Sequence, residues 1–335
     1  MDLVTVIIVN WNGQHLLPDC LESLREQEFK KFKTILVDNG SSDGSVDWVR
    51  RCYPEVKVIP LPTNAGFCVA NNVGYRASKS KYVALLNNDA VAHSLWLQRL
   101  VDTLETTDQA GFAASKILNY GKPDTIDRAG DSYTSAGAGL LRGRGMRSNS
   151  YDKQEWIFGA CAAAALYRKR MIDEIGFFNE DFFLLYEDVD LSFRAQLKGY
   201  RCLYVPEATV YHKTSSSIIR DSHTSIYYGH RNQEWVYFQN MPGRLIGKTI
   251  ILHLAHNMGS FLYFSCNGGM KCILRAKWDA FRHMKKILRN RRMIQKGKRV
   301  EDSYIWALLE KERFLSRLTT RFPKKNESGD RKENS

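Results

Sequence analysis

Val4-Thr5-Val6-Ile7-Ile8-Val9-Asn10-Trp11-Asn12-Gly13 is the stretch on which the reading of this 335-residue chain turns. Its first six residues are all β-branched, and the run stops abruptly at polar Asn10, Trp11 and Asn12. A short run apolar on both faces suits a strand buried within a parallel sheet. Lys33 to Val37 (KTILV) and Lys81 to Leu86 (KYVALL) repeat the form. Between the first two runs, Leu16, Leu17, Cys20, Leu21 and Leu24 fall on one helical face. Asp43 to Tyr53, Gly66 to Ala77 and Ser94 to Leu104 predict further helices, the last with Ser94 as its N-cap. Strands alternating with helices predict an α/β fold: a Rossmann-like, mostly parallel central sheet flanked by helices.

The strands end in polar clusters: Asn10-Trp11-Asn12, Asp38-Asn39-Gly40 and Asn87-Asn88-Asp89. In an open α/β sheet ligands bind at the carboxyl ends of strands, so these clusters outline a site. From about Asn119 to Gln154 glycines and arginines predict a loop, either a flap over the site or an ordinary surface excursion. Cys161 to Tyr167 then predicts a strand, Lys169 to Ile175 a short helix, Glu187-Asp188 a helix start and Arg201 to Val205 a strand. The catalytic domain is expected to span residues 1–222, followed by a helical, basic extension over 223–323 and a disordered tail over 324–335.

Hydrophobic residues at 44% and charged residues at 25% describe a folded globular protein. Seven cysteines without a C-x-x-C pair argue against a disulfide framework or a cysteine-rich zinc site. The start of the chain lacks the pattern of a secretory signal, and a cytoplasmic location is expected. The net charge of +13 belongs to one end, since residues 271–335 hold 20 Lys/Arg against 8 Asp/Glu and residues 1–270 hold 29 against 28. Leu274, Trp278, Phe281, Met284 and Leu288 share one helical face, with Lys271, Arg275, Arg282, Lys286 and Arg289 gathered on another. That pattern fits an anionic membrane surface at least as well as a nucleic acid, and contact with a membrane stands beside packing onto the catalytic domain. Residues 245–265 are apolar but carry Lys248, His253, His256 and Asn257, which makes them poor as a spanning helix.

Asp89 and its amide neighbours put oxygen ligands at a strand mouth, which suits Mg2+ or Mn2+ held together with a phosphate; a polar turn capping the strand explains the same residues. Tyr186-Glu187-Asp188-Val189-Asp190 places three carboxylates at a helix start, where mutual repulsion and burial push a pKa toward the range of a general base and the helix dipole opposes them. Asp190 and Arg194, four apart, also fit a plain ion pair, which leaves Glu187 and Asp188 freer. Asp38 suits a nucleoside hydrogen bond, and the small and amide residues from Asn64 to Gly74 suit close approach to a ribose or phosphate. His212 is a possible further metal ligand or a structural histidine.

Taken together, VIIVNWNG, ILVDNGSSDGS, NAGFCVANNVG, LLNNDA, the stretch from Trp156 to Tyr200, VYHK and GHRNQ run in order across residues 6–233. As a set they resemble the family 2 glycosyltransferases of GT-A fold, particularly the bacterial branch related to rhamnosyltransferases of cell-surface polysaccharide synthesis. The resemblance implies an inverting glycosyltransferase moving a sugar from dTDP-rhamnose or a UDP-sugar to a hydroxyl of a saccharide or polyprenyl-diphosphate-linked acceptor, and the basic helical segment is expected to bring it to the inner face of the cell membrane. It places Asn10, Asn12, Asp38, Asn39 and Asn88 around the nucleoside, and Gly66, Asn71 and Asn72 near the ribose and diphosphate. Asp89 and His212 become the metal ligands, Asp188 the general base beside Glu187, and Trp156, Gly159 and Ala160 the border of the acceptor. Asn87 stands where an Asp is frequent in the family's DxD motif, which implies a metal affinity that is weaker or more dependent on the donor's diphosphate. A dinucleotide-dependent oxidoreductase is the alternative enzyme, but N-W-N-G replaces the G-x-G-x-x-G such enzymes carry after the first strand. A nucleic-acid-binding protein is the other alternative; it draws on the basic end alone, and no nucleic-acid partner is expected for the nearly neutral body.

Overall fold

The computed structural model describes residues 2–213 and 222–311. The β-branched run becomes β1 (Val4–Asn10), which lies between β2 (Phe32–Asp38) and β4 (Tyr82–Leu86) and runs parallel to both. β3 (Lys57–Pro60) extends the parallel set beyond β2. The connecting helices are α1 (Leu17–Arg25), α2 (Ser45–Cys52) and α3 (Phe67–Arg76), each with an apolar side turned inward.

Beyond β4 the sheet becomes mixed. β5 (Ala90–Ala92) and α4 (Trp96–Thr106) lead to β6 (Ala110–Asn119), and β7 (Lys122–Arg128) folds back on β6 as an antiparallel partner. β8 (Asp131–Tyr133) and β9 (Gly139–Leu141) form a separate hairpin, followed by β10 (Glu155–Ile157). β11 (Ala164–Arg168) lies antiparallel between β4 and β6. After α5 (Lys169–Ile175) and α6 (Glu187–Leu197), β12 (Arg201–His212) runs parallel to β6 and pairs antiparallel with β10 and β5. The order is β10-β12-β6-β11-β4-β1-β2-β3, and β1, β2, β3, β4, β6 and β12 all point the same way. Their carboxyl ends bring Asn10, Asp38, Asn87 and His212 to one edge of the sheet.

Three expectations change. β6 is a central strand that apolar patterning did not mark, because its Ala, Gly, Ser and Lys residues are buried by their neighbours and not by their own hydrophobicity. The segment expected to be a loop over 119–154 carries β7, β8 and β9, and every residue from Ala129 to Ala138 is buried. Ser94 does not cap α4: the helix begins at Trp96 after Leu95, and the Ser94 hydroxyl donates to Glu28 at 3.4 Å.

The C-terminal helices are α7 (His223–Asn240), α8 (Gly243–Cys266), α9 (Met270–Arg282), α10 (Met284–Lys296) and α11 (Asp302–Leu308). Trp235, Val236, Tyr237, Met241 and Leu245 join the same apolar core as Ile7, Tyr133 and Phe193, so the core continues past residue 222 without a break. The tail expected over 324–335 lies outside the described residues. No helix among the described residues is long and apolar enough to cross a membrane. All seven cysteines are free, four of them buried.

Candidate active site

At the β1–β2 end of the edge, Asn10 stands in register with Asp38. The Asn10 amide donates to Asp38 Oδ1 at 3.1 Å and to Ser45 Oγ at 3.0 Å, and its oxygen accepts from Asn88 Nδ2 at 2.9 Å. Gly13 allows that meeting, since a Cβ there would lie 2.4 Å from Asn88 Nδ2. Asn12 Oδ1 accepts from the Ser42 N–H at 2.8 Å. Asn39 donates to Asn64 Oδ1 at 2.9 Å and accepts from the Ala65 N–H at 2.9 Å, which ties the end of β2 to the turn before α3. Gly66, with φ of +91°, opens that helix. Asn71 and Asn72 lie farther along α3: Asn71 donates to the Phe67 carbonyl, and the Asn72 amide binds both the N–H and the C=O of Phe178.

At the β4–β12 end, antiparallel pairing sets Ala90 opposite His212 and so brings Asp89 beside it. His212 Nε2 lies 3.1 Å from Asp89 Oδ1, and Nδ1 lies 3.0 Å from Asp127 Oδ2. Burial alone would lower the imidazole's pKa, but its hydrogen bonds to Asp127 and Asp89 outweigh that effect and raise it to about 9. Asp127 in turn sits below its ordinary value, because the bond from His212 and the nearby positive charges exceed the cost of burial. Arg144 Nη2 is 3.5 Å from the second Asp127 oxygen.

A second group of carboxylates forms at the start of α6. Asp188 accepts from the Ala162 N–H at 3.2 Å and from the Val189 N–H at 2.8 Å, one bond to each oxygen. Arg128 lies 3.9 Å from Asp188 and 3.2 Å from Asp131. Burial pushes Asp131 up to about 7, with Arg128 pulling it down and Asp188 pushing it up. Burial followed by the neighbouring Asp188 pushes Glu187 up to about 8. Asp131, Cys161 and Asp188 have ligand atoms within 4.8 Å of one another, but Arg128 stands among the acids and balances their charge as a guanidinium. Stacked Tyr133 and Phe158, both edge-on to Phe193, pin β8 against α6.

Asp127 and Arg128 are neighbours at the end of β7, so Asp89, His212, Asp127, Arg128 and Asp188 make one connected array. Gly159 exchanges backbone hydrogen bonds with Asp131 at 2.8 and 3.1 Å, and buried Ala160 follows it, which sets both beside the carboxylates. Trp156 is not brought there. It faces the opposite side of the sheet from Ile157, with the Arg201 guanidinium 3.8 Å from its ring centroid. Asp127, Arg128 and Asp131 were not singled out from the sequence; the one local signal was the alternation of Ile126 and Asp127 ahead of Gly130.

Known proteins share this arrangement of strands. A mannosyltransferase from Pyrobaculum calidifontis, solved with GDP-Man and Mn2+, matches with a TM-score of 0.53 at 16% identity over 91% of this chain and 85% of its own. GalNAc-T7, solved with UDP, GalNAc and Mn2+, matches with a TM-score of 0.58 at 15% identity over 70% of this chain and 48% of its own. In sequence, an N-acetylglucosaminyl-diphospho-decaprenol L-rhamnosyltransferase of Mycobacterium tuberculosis is 27% identical over 253 residues, covering 66% of this chain and 79% of that protein. The family described as Glycosyl transferase family 2 matches residues 5–176. With more than half the chain inside that match and the GT-A arrangement of the sheet around it, this protein belongs to glycosyl transferase family 2.

Proposed function

We infer that this glycosyltransferase moves a sugar, with inversion, from a nucleoside-diphosphate donor to a hydroxyl of a saccharide or polyprenyl-diphosphate-linked acceptor in cell-surface polysaccharide synthesis. One observation carries the reading: Asp89 and Asp188 are joined through His212, Asp127 and Arg128 at one edge of the sheet. dTDP-rhamnose is the first candidate donor and UDP-sugars the second; the name of the mycobacterial relative supports both the rhamnose and the lipid-linked acceptor.

Asp89 and His212 fit a divalent cation, Mg2+ or Mn2+. An oxygen of Asp89 and Nε2 of His212 face each other, while Asp127 holds the opposite ring nitrogen, the support that ligating imidazoles commonly have. The Mn2+ in the two solved structures of the same fold supports this fit. Such a cation, when bound, supplies positive charge to the departing diphosphate. Asn10, Asn12, Asp38, Asn39 and Asn88 hold the nucleoside, with Gly66, Asn71 and Asn72 toward the ribose and diphosphate. Asp188 takes the acceptor's hydroxyl proton as that oxygen attacks the anomeric carbon and the carbon–phosphate oxygen bond breaks on the far side. No second acid is needed, because a diphosphate leaves unprotonated. Gly159 and Ala160 border the acceptor.

The working place is the inner membrane face. Ile251, Leu254, Met258 and Leu262 of α8 and Leu274, Trp278 and Phe281 of α9 are exposed, with Lys248, Lys271, Arg275 and Arg282 on the same helices. Apolar side chains rimmed by lysine and arginine suit an anionic lipid surface. The test of the catalytic assignment is Asp188→Asn. It is expected to bind donor as the wild type does and to lose transfer by orders of magnitude, and near-normal turnover would overturn the assignment.

A further inference from the structure

Immediately before Glu187 and Asp188 the backbone enters the left-handed region three times, with φ of 63° at Phe183, 65° at Leu185 and 69° at Tyr186. Each such bulky residue costs on the order of 1–3 kcal/mol and persists only where its surroundings over-determine it. The surroundings come from α7. Asn232 is fully buried, and its Nδ2 is shared among the carbonyls of Phe182 at 3.1 Å, Leu184 at 2.9 Å and Leu185 at 2.7 Å. Its oxygen accepts from Arg231 Nε at 2.9 Å, and Arg231 Nη2 donates to the carbonyls of Asp181 at 2.9 Å and Phe182 at 3.1 Å. One guanidinium and one carboxamide, bonded to each other, therefore hold four carbonyls of the five residues from Asp181 to Leu185.

The rings on either side close the grip. Tyr228 stacks on Phe183 with centroids 5.2 Å apart, and Trp235 meets Phe182 edge-on at 5.7 Å. From the nucleotide side the Cys68 N–H donates to the Phe183 carbonyl at 3.3 Å. Gly66 leaves room for the same ring, since a Cβ there would lie 2.5 Å from Phe183 Cδ2.

We propose that Arg231 and Asn232 are positioning residues for Asp188, holding the left-handed segment in the arrangement that starts α6 where Asp188 meets the Ala162 N–H and Arg128. Neither residue has to touch substrate. The inference rests on Asp188 acting as the base, and it makes α7, which follows the family's matched segment, part of the machinery of turnover. A base moved by about 1 Å can lose about a hundredfold in rate.

The test compares Asn232→Ala, Asp188→Asn and the double variant in the full chain, with Val236→Ala as a control that removes buried apolar surface from the same helix. Asn232→Ala is expected to lower kcat for transfer about 10- to 100-fold while leaving the donor KM within about twofold of wild type. In the Asp188→Asn background it is expected to cause no further loss, because no base remains to be placed. A kcat near wild type overturns the proposal, as does a full additional loss in the double variant, or a matching kcat loss in Val236→Ala at equal Tm. If Asp188→Asn itself retains transfer, the base assignment fails whatever Asn232→Ala does. Should Asn232→Ala not fold, Arg231→Lys, which keeps the charge and loses the fork, is read in the same way, and an unchanged kcat there overturns the proposal.

Discussion

Asp127 belongs to no motif, yet its carboxylate decides which nitrogen of His212 faces Asp89. A supporting carboxylate of this kind commonly contributes about 10- to 100-fold in metal affinity or activity. Asp127→Asn is therefore expected to raise the Mn2+ concentration for half-maximal transfer by about that factor, with nucleotide binding in the absence of metal unchanged; a metal titration of activity checks it. Asp89, His212 and Asp188 could be singled out because Asp89 follows a strand and Asp188 opens a helix that the sequence marks, while His212 lies in VYHK, a segment shared with the family. Asp127, Arg128 and Asp131 were not, because their meeting depends on how β7 registers against β6 across two irregularities. A glycine-rich stretch carries no periodicity from which that register could be read. Trp156 lies apart from the others: the pleat of β10 turns this aromatic, which the sequence had set beside the acceptor, to the far side of the sheet.

Among the elements, α7 was the least legible in function. Its buried residues include Arg231, Asn232, Gln233, Glu234, Gln239 and Asn240, so the polar pattern that looks like a solvated helix belongs to one inside the core. Gln239 and Asn240 donate to Asp190 at 2.5 and 2.7 Å, and Asp190 also holds its expected partner Arg194 at 2.7 Å. Farther out, Glu234 meets His253 of α8 at 3.0 Å and Lys277 of α9 at 2.5 Å. Burial alone would raise its pKa, but those partners bring it from 4.5 down to about 2. A carboxylate depressed on folding stabilises the native state above its unfolded pKa and loses that contribution as pH falls through the folded one. We expect stability to drop between about pH 4.5 and 2 by up to about 3 kcal/mol. Glu234→Gln should flatten that interval and lower stability at pH 7, where half-buried Lys277 is left without its anion; urea titrations across pH check both. β1, β2 and β4 needed no such context, since side chains apolar on both faces have few places to go except the middle of a sheet.

Across the whole molecule, the basic end is not a separate appendage. Its helices share the catalytic core on one side and leave Ile251 78%, Phe281 67% and Trp278 60% exposed on the other. Of the two readings drawn from the sequence, packing accounts for the inward faces of these helices, and the proposed membrane contact has the outward faces open to it. Wild-type protein is expected to sediment with anionic vesicles and not with neutral ones. The variant Ile251→Glu with Trp278→Glu should lose that binding at least tenfold while transfer to a short water-soluble acceptor is preserved; indifference of the wild type to both kinds of vesicle removes the proposal. The adjacency of Asp127 and Arg128 bears on how such an enzyme could be altered. Under the proposed assignment, a single peptide bond couples the pole that steadies the departing nucleotide to the pole that receives the incoming alcohol. Under that assignment, any displacement of the β7 terminus is felt by both partners of the reaction at once.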